Sequence, residues 1–335
     1  MSSRTFIDRL HGVLRSPLTL DGNFAMRSEV SAHARQQQTN EAFSEKWGKY
    51  GDSSEKEQLY AFQRAWYLKL YGFESEEALR AHLVGCRVVF DAGCGLGYKP
   101  AWFAELAPHA LVIGMDFSGA ARQAARNYGH LENLFFVQGD IAATHIEDGA
   151  IDYVSCDQVI MHTESPERTF AELARIVNRA GGELACYFYA KKALPRELLD
   201  DYFRVRCGQL ERSKLWAMSE QLAELGRRLS ELNVQFDAPD IPELGIKGGR
   251  YDIQRFVYWN FLKCFWNEEL GRETSVVTNF DWYSPSNARR FSEQEVRALV
   301  HDNGLSEVFF HAEEACYSGR FTHPSASNGS SAHGR

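Results

Sequence analysis

Short apolar segments alternate with amphipathic stretches in the middle of the chain. The apolar segments have the β-branched and aromatic residues of strands that are covered on both faces, at residues 88–91, 111–117, 134–139, 151–156 and 183–189. Helix-period patterns lie between them, at residues 98–107, 119–128 and 166–177. This alternation is typical of βαβ units, so we predict an α/β fold with a doubly wound, mostly parallel sheet.

The region before this alternation has a different pattern. Residues 1–38 are polar and irregular, with turn signals at Ser16-Pro17 and Asp21-Gly22, and we expect a small hairpin or a loosely docked arm there. Between residues 41 and 83, aromatic side chains recur among charged ones at helical intervals. This second pattern predicts amphipathic helices that lie on another part of the molecule.

The alternation stops after residue 191 and returns at residue 291. Between these points the pattern is mostly helical, over residues 195–232 and 251–270, and the segment is too long for a simple connection. A further helix should then begin at a capping box formed by Ser292 and Glu295, and two strands should follow. The long segment therefore interrupts one domain, and the sheet should contain seven strands in all.

These patterns divide the chain into five parts. They are an N-terminal arm and helical lid (1–83), an α/β core (84–191), a mostly helical insertion (192–290), the C-terminal part of the core (291–322) and a tail for which we expect disorder (323–335).

Composition excludes several classes of partner. The 335 residues include 37 Lys and Arg against 45 Asp and Glu, a formal charge of −8, which disfavours a broad nucleic-acid footprint. The seven cysteines form no C-x-x-C pair and have no zinc-like spacing, so we expect reduced thiols in a cytosolic protein and no metal site. No stretch has the ~18 apolar residues of a membrane span.

A glycine-rich motif follows the first core strand. Residues 88–97 read V-V-F-D-A-G-C-G-L-G, with Asp91 ahead of Gly93, Gly95 and Gly97. Glycines of this kind let a ligand lie directly against the backbone. A dinucleotide fingerprint needs a small residue where this chain has Tyr98, and a carboxylate beside the turn would repel a pyrophosphate. The motif therefore favours a cationic ligand over NAD or FAD.

Residues 88–189 resemble the class I methyltransferases that depend on S-adenosylmethionine (SAM), in five motifs of matching order and spacing. The glycine motif is followed by V-I-G-M-D at residues 112–116, F-V-Q-G-D-I at 136–141, D-Y-V-S-C-D-Q-V-I-M-H-T at 152–163, and a segment with two glycines at 173–184. Weaker similarity continues over residues 291–321. The resemblance implies a Rossmann-like core with SAM as cofactor.

The resemblance also implies roles for individual residues. Asp91, Gly93 and Gly95 would seat the methionine end of SAM, Asp116 would bind both ribose hydroxyls, and Asp140 with Ile141 would bind the adenine. The complete set expected at the cofactor is Trp47, Asp91, Gly93, Cys94, Gly95, Gly97, Asp116, Phe117, Asp140, Ile141, Asp157 and Gln158. Asp116 could instead cap the helix that follows it, and Asp140 could instead stabilise an ordinary turn.

Two residues near the end of the fourth core strand are candidate catalytic residues. His162 is a candidate general base for an acceptor proton, and Asp157 would face the acceptor beside Gln158. A histidine at this position could equally orient the acceptor or be structural. The family's N-terminal helices commonly cover the cofactor, and Trp47 and Tyr50 are the residues we expect to do so here.

The insertion is rich in aromatic side chains, which pack its own core or line an apolar acceptor site. They are Tyr251, Phe256, Tyr258, Trp259, Phe261, Phe265, Trp266, Trp282 and Tyr283.

We expect a small-molecule acceptor, in specialised biosynthesis, with no nucleic-acid or membrane partner. The sequence leaves open a homodimer and the methylated atom, which could be O, C or N. Two rival functions also remain, a nicotinamide-dependent oxidoreductase and a non-catalytic partner subunit.

Overall fold

Helices and strands alternate along the computed structural model, which describes residues 3–27, 34–50 and 55–324. The helices are α1 (Ser3–Gly12), α2 (Ala34–Tyr50), α3 (Lys56–Leu70), α4 (Glu76–Val84), α5 (Tyr98–Leu106), α6 (Ala120–Asn127), α7 (Pro166–Ile176), α8 (Leu194–Cys207), α9 (Arg212–Glu231), α10 (Ile253–Asn260), α11 (Gly271–Tyr283) and α12 (Glu293–Asp302). The strands are β1 (Phe24–Met26), β2 (Val88–Ala92), β3 (Leu111–Asp116), β4 (Leu134–Gln138), β5 (Tyr153–Cys156), β6 (Glu183–Tyr189), β7 (Gln235–Ala238), β8 (Gly249–Asp252), β9 (Ser306–Ala312) and β10 (Cys316–Thr322).

Eight of these strands form one sheet, in the order β1-β4-β3-β2-β5-β6-β10-β9. Strands β1 to β6 pair in parallel, while β10 lies antiparallel to both β6 and β9. The doubly wound α/β prediction is confirmed, and the seven predicted strands are β2 to β6, β9 and β10. The central strands β2 and β5 are buried throughout, as their apolar segments predicted.

The eighth strand comes from the N-terminal region, where the prediction of a hairpin or a loosely docked arm is wrong. Helix α1 buries Phe6 and Leu10 in the main core, and β1 extends the sheet by pairing with β4, Phe24 opposite Phe136. The apolar residues of α1 are four apart, which places them on one face of the helix. Packing of that face fixes the segment that the turn signals had suggested was loose.

The insertion is mostly helical, as predicted, but its helices differ in extent. The predicted helical stretch 195–232 forms α8 and α9, whereas only α10 forms within 251–270, after the small antiparallel pair β7–β8. Helix α11 was not predicted. It packs against α9 and α2, and Trp216 stacks on Phe280 at 3.8 Å between ring centroids.

The sheet places the ends of its parallel strands along one edge. Strand order reverses between β2 and β5, and ligands of such sheets bind in the crevice at the carboxyl ends of the strands beside this point.

The capping box of Ser292 and Glu295 at α12 is confirmed. The seven cysteines are free and buried. Most of the predicted tail, residues 325–335, lies outside the described residues.

Across residues 3–27, 34–50 and 55–324, no helix has the length and apolar character that crossing a membrane requires. Within the same ranges, no group of three or more His, Cys, Asp or Glu side chains is placed to hold a metal ion.

Candidate functional site

The turn between β2 and α5 is built on glycines with left-handed backbone. Gly93 has a φ of 83°, and a Cβ at this position would lie 2.4 Å from the Cγ atoms of Val159. Gly95 has a φ of 50°, and its Cβ would lie 3.0 Å from the ring of Trp47. The N–H of Gly93 donates to the carbonyl of Met115 at 2.7 Å, which ties the turn to β3. The chain therefore passes closer to its neighbours here than any side chain would allow.

Asp116 ends β3 and faces this turn. Its Oδ2 accepts from the N–H of Gly95 at 2.8 Å, and its Oδ1 accepts from the N–H and hydroxyl of Ser118 at 2.8 and 2.6 Å. Burial raises the pKa of Asp116, and these hydrogen bonds oppose the rise. Asp116 therefore lines the cleft and forms a local turn with Ser118, but it does not cap α6, whose N-cap residue is Gly119 and has no side-chain cap hydrogen bond.

A cleft with about 670 Å³ of empty space, including its open mouth, lies at the carboxyl ends of the strands. Eight of the predicted site residues line it: Trp47, Gly93, Asp116, Phe117, Asp140, Ile141, Gln158 and His162. We call it the first cleft. The predicted residues Asp91, Cys94, Gly95, Gly97 and Asp157 are not among its lining residues. Asp140 also forms an ordinary turn, since its Oδ1 accepts from the N–H of Ala142 at 2.8 Å.

One wall of the first cleft was not predicted from the sequence. Gln36, Thr39, Asn40 and Phe43 line it from α2, next to Trp47. Their spacing of three or four residues is that of one helix face and was readable in the sequence. It went unrecognised because a polar helix face is normally a solvated one.

Three carboxylates lie behind the glycine turn with one lysine. Asp91 is 1% exposed, and among the residues that the structure describes its Oδ2 has no hydrogen-bond partner. Burial raises the pKa of Asp91 to about 6, against the attraction of Lys99, and Asp157 and Asp116 raise it further. Three acids and one lysine leave an excess of negative charge here. The arrangement suits a cationic ligand and disfavours a pyrophosphate.

Asp157 follows β5 and has both carboxylate oxygens occupied. Lys99 of α5 donates to its Oδ2 at 2.6 Å, and the hydroxyl of Tyr71 donates to its Oδ1 at 2.8 Å. Both Lys99 and Asp157 are buried. Burial lowers the pKa of Lys99 while Asp157 raises it, and the net change is a rise. This network fixes the end of β5 against α5.

Gln158 comes directly after this anchor, in a strained backbone conformation. Its φ of 62° is uncommon for a residue other than glycine, and such strain concentrates at functional sites. Its side-chain amide donates to Asp157 Oδ2 at 3.3 Å. Gln158 and Trp47 line both the first cleft and a second one beside it.

His162 lies in a short 3₁₀ turn, Ile160–His162, after β5. The backbone carbonyl of Asn287 can only accept, so Nδ1 of His162 donates to it at 2.7 Å and the neutral ring keeps a lone pair on Nε2. Burial lowers the pKa of His162 to about 4, although this hydrogen bond opposes the shift. The ring is therefore neutral at pH 7 with a free lone pair, but so low a pKa makes it a weaker base than an ordinary histidine.

The second cleft is larger, with about 1850 Å³ of empty space including its mouth. It lies between α2, α3, β6 and the insertion. Of the nine aromatic residues singled out in the insertion, four line this cleft: Tyr258, Trp259, Phe265 and Trp282. Aromatic residues of α3 and β6, including Trp66 and Tyr189, form the opposite wall. This cleft has the apolar lining of a small-molecule site.

The insertion holds α2 over the glycine turn. Lys46 forms an ion pair with Asp281 at 2.6 Å, and the side-chain amide of Gln38 donates to the carbonyl of Ser284 at 2.7 Å. Trp47 is thereby placed against Gly95 in the turn, and its role in covering a cofactor stays a prediction. The side chain of Tyr50, the other residue expected there, lies outside the described residues.

Comparison with known proteins agrees with this geometry. Residues 90–186 match a family model described as "Methyltransferase domain". The chain is 34% identical over 106 residues to malonyl-[acyl-carrier protein] O-methyltransferase of Legionella pneumophila, which covers 31% of this chain and 37% of that protein. It is 36% identical over 97 residues to trans-aconitate 2-methyltransferase of Deinococcus radiodurans, covering 29% and 36%. The chain thus spans about a third of the length of these relatives.

A solved structure of magnesium protoporphyrin IX methyltransferase from Synechocystis PCC 6803 with bound SAM is a distant likeness. Its sequence identity is 15%, with a TM-score of 0.45 over 88% of this chain and 99% of that one. The matched segment 90–186 contains the strand ends and the turn described above. The chain therefore carries, over these residues, a methyltransferase domain of the class I SAM-dependent family, whose cofactor is SAM.

Proposed function

We propose that the whole protein is a methyltransferase that transfers the methyl group of SAM to a small-molecule acceptor. The observation that carries this proposal is the junction of two clefts through Gln158 and Trp47. The first cleft has the residues for an adenosyl cation, and the second has room for an apolar acceptor. A methyl group at the junction would be within reach of both.

The first cleft and the buried carboxylates next to its glycine turn together offer a matching group for each part of the cofactor. The negative charge around Asp91 suits the ammonium, since its unpaired Oδ2 would gain a cationic partner there. Asp116 would accept from the ribose hydroxyls, which requires sharing its carboxylate with Ser118. Asp140 and Ile141 would hold the adenine, one by hydrogen bonding and the other by packing.

When bound, SAM supplies a methyl group on a positively charged sulfur. An in-line attack by the acceptor atom on that methyl group displaces the sulfur. The protein's own task is to align the acceptor atom with that methyl group and to exclude water. The strained Gln158 would position the acceptor, and Trp47 would cover the cofactor. An acceptor that carries a proton would lose it to Nε2 of His162, which the Asn287 carbonyl holds in the required tautomer.

Asp157 acts in this proposal through its neighbours. Its carboxylate is bound by Lys99 and Tyr71, so it would position Gln158 without touching the acceptor. A metabolite remains the proposed acceptor class because the chain has a net charge of −8 and nine of the 27 residues that line the second cleft are aromatic. We propose a cytosolic location on the basis of the buried free cysteines.

Titration calorimetry tests the cofactor assignment against the nicotinamide rival. SAM and S-adenosylhomocysteine should bind with one-to-one stoichiometry, while NADH should give no heat of binding. The enzyme is then given isotopically labelled SAM and a metabolite extract. Mass spectrometry should show one metabolite gaining a labelled methyl group. Cofactor binding without any methylated product or release of S-adenosylhomocysteine would instead support a non-catalytic partner subunit.

A further inference from the structure

The second cleft is strongly cationic although the chain as a whole is acidic. Six of its lining residues carry positive charge: Lys46, Lys69, Lys192, Arg196, Arg255 and Lys263. Only two lining residues are acidic, Asp281 and Glu313. With a net charge of −8 on the chain, this local excess is opposite in sign to the rest of the protein.

Three of the six cations already have acidic partners. Lys46 pairs with Asp281, Lys69 pairs with Glu313, and Arg196 pairs with Asp200, which lies behind the cleft wall. Within the part of the chain that the structure describes, the other three have no carboxylate at ion-pair distance. These three, Lys192, Arg255 and Lys263, form what we call the cationic end.

Lys263 is the most enclosed of the three. It is 6% exposed, and its ammonium donates to the hydroxyl of Tyr258 at 3.0 Å, which leaves two of its three N–H groups without a partner there. The ammonium also lies 4.6 Å from the ring centre of Trp282 and 5.5 Å from that of Phe265. Aromatic faces compensate part of the burial of a cation, but an unpaired buried ammonium remains unfavourable until an anion meets it.

Lys192 and Arg255 add positive potential nearby, since they lie 5.3 Å and 5.9 Å from the ring centres of Trp259 and Tyr258, respectively. Lys192 gives its three donors to backbone carbonyls, those of Ala190, Glu314 and Ala315, so it contributes charge and no free donor. Burial, together with the nearby cations Arg196 and Lys263, lowers the pKa of Lys192 to about 7. An anion bound in the cleft would favour its charged form.

The cationic end lies away from the first cleft. Aromatic contacts connect the two: His162 lies 5.5 Å from Tyr189, and Tyr189 lies 5.0 Å from Trp282, measured between ring centres. Trp282 in turn contacts Lys263. A ligand that reached from Gln158 to Lys263 would therefore pass along a wall of aromatic side chains.

From this placement we infer that the acceptor is an amphiphilic organic anion, with an apolar, ring-bearing body and an acidic group bound at Lys263, remote from the atom that is methylated. The inference rests on the proposed function in treating the second cleft as the acceptor site. Lys263 supplies the hydrogen bonds to the acidic group, and Lys192 and Arg255 supply long-range attraction. The aromatic wall binds the body.

Two fluorescent probes of nearly equal shape test this inference. They are 1-anilinonaphthalene-8-sulfonate, which is an anion, and N-phenyl-1-naphthylamine, which lacks the sulfonate. In the Lys263→Met variant of the full chain, the Kd of the sulfonate should rise about tenfold or more, a loss of about 1.4 kcal/mol, while that of the neutral probe changes less than twofold. Lys263→Arg should restore much of the sulfonate affinity.

The control variant is Lys214→Met, which removes a lysine whose side chain is 68% exposed on α9 and should alter neither Kd. Unchanged sulfonate affinity in Lys263→Met, or an equal loss for both probes, would overturn the inference. SAM is titrated into the same samples. Failure of SAM to bind wild type would contradict the methyltransferase proposal, whereas the probe comparison bears on the cationic end alone.

Discussion

Removing Lys99 should destabilise the protein more than removing both members of its ion pair. Lys99→Met leaves the Asp157 carboxylate buried without its cation, and breaking a buried pair in this way costs about 3–5 kcal/mol. The double variant Lys99→Met/Asp157→Asn removes the carboxylate that Lys99 pairs with and still offers an acceptor to the Tyr71 hydroxyl, so that only the weaker attraction between Lys99 and Asp91 is lost without compensation. It should therefore be more stable than Lys99→Met alone, by about 2 kcal/mol.

Urea denaturation of wild type, both single variants and the double variant gives the coupling energy as a double-mutant cycle. Lys214→Met again serves as the matched control, because its exposed lysine should contribute less than about 0.5 kcal/mol. If Lys99→Met unfolded within 1 kcal/mol of wild type, or if the two single losses simply added, the network would not anchor the end of β5.

Four further outcomes follow from the site. Asp116→Ala should weaken SAM binding at least about a hundredfold in calorimetry, since two hydrogen bonds to a charged group are lost; wild-type affinity would refute the ribose assignment. Trp47→Ala should speed SAM dissociation about tenfold in stopped-flow measurements, and an unchanged rate would argue against a covering role. Gly93→Ala should cost about 2–4 kcal/mol of stability, because its backbone is left-handed and its Cβ would meet the methyl groups of Val159. Gly119→Ala, at an open position, should have no such cost, and equal effects of the two substitutions would contradict this reasoning. His162 binds a proton near pH 6.5 in the unfolded chain but only near pH 4 in the folded protein. Between pH 7 and 4.5 the free energy of unfolding of wild type should therefore fall by about 2.5 kcal/mol more than that of His162→Asn. Parallel pH profiles of stability would show that the ring is not buried and neutral.

The core of the fold was predictable because its strands and helices differ locally in period and composition. Strand β6 matches its predicted range, since both of its faces are covered and the apolar run has sharp ends. Helix α11 escaped prediction for the opposite reason. Eight of its residues are buried, so apolar and polar positions show no clear face from which a helical period could be read. The N-terminal error arose because turn signals were given more weight than the four-residue spacing of Phe6 and Leu10.

The first cleft was largely predictable because its residues follow strand ends, and parallel strands deliver their carboxyl ends to one edge. The role of Asp157 was less accessible, since its partners Lys99 and Tyr71 are 58 and 86 residues away along the chain. The cationic end of the second cleft was not predicted for the same reason. Its members lie in the segment between β6 and α8, in α10 and in the loop after α10, and only the fold brings them together.

A crystal structure of the protein grown with S-adenosylhomocysteine tests the central assignment most directly. The adenosyl group should lie in the first cleft, with the ribose hydroxyls on Asp116 and the adenine against Ile141, and the amino group should approach Asp91. Density for the nucleoside anywhere else would contradict it. So would a glycine turn that binds the pyrophosphate of a dinucleotide in a parallel soak.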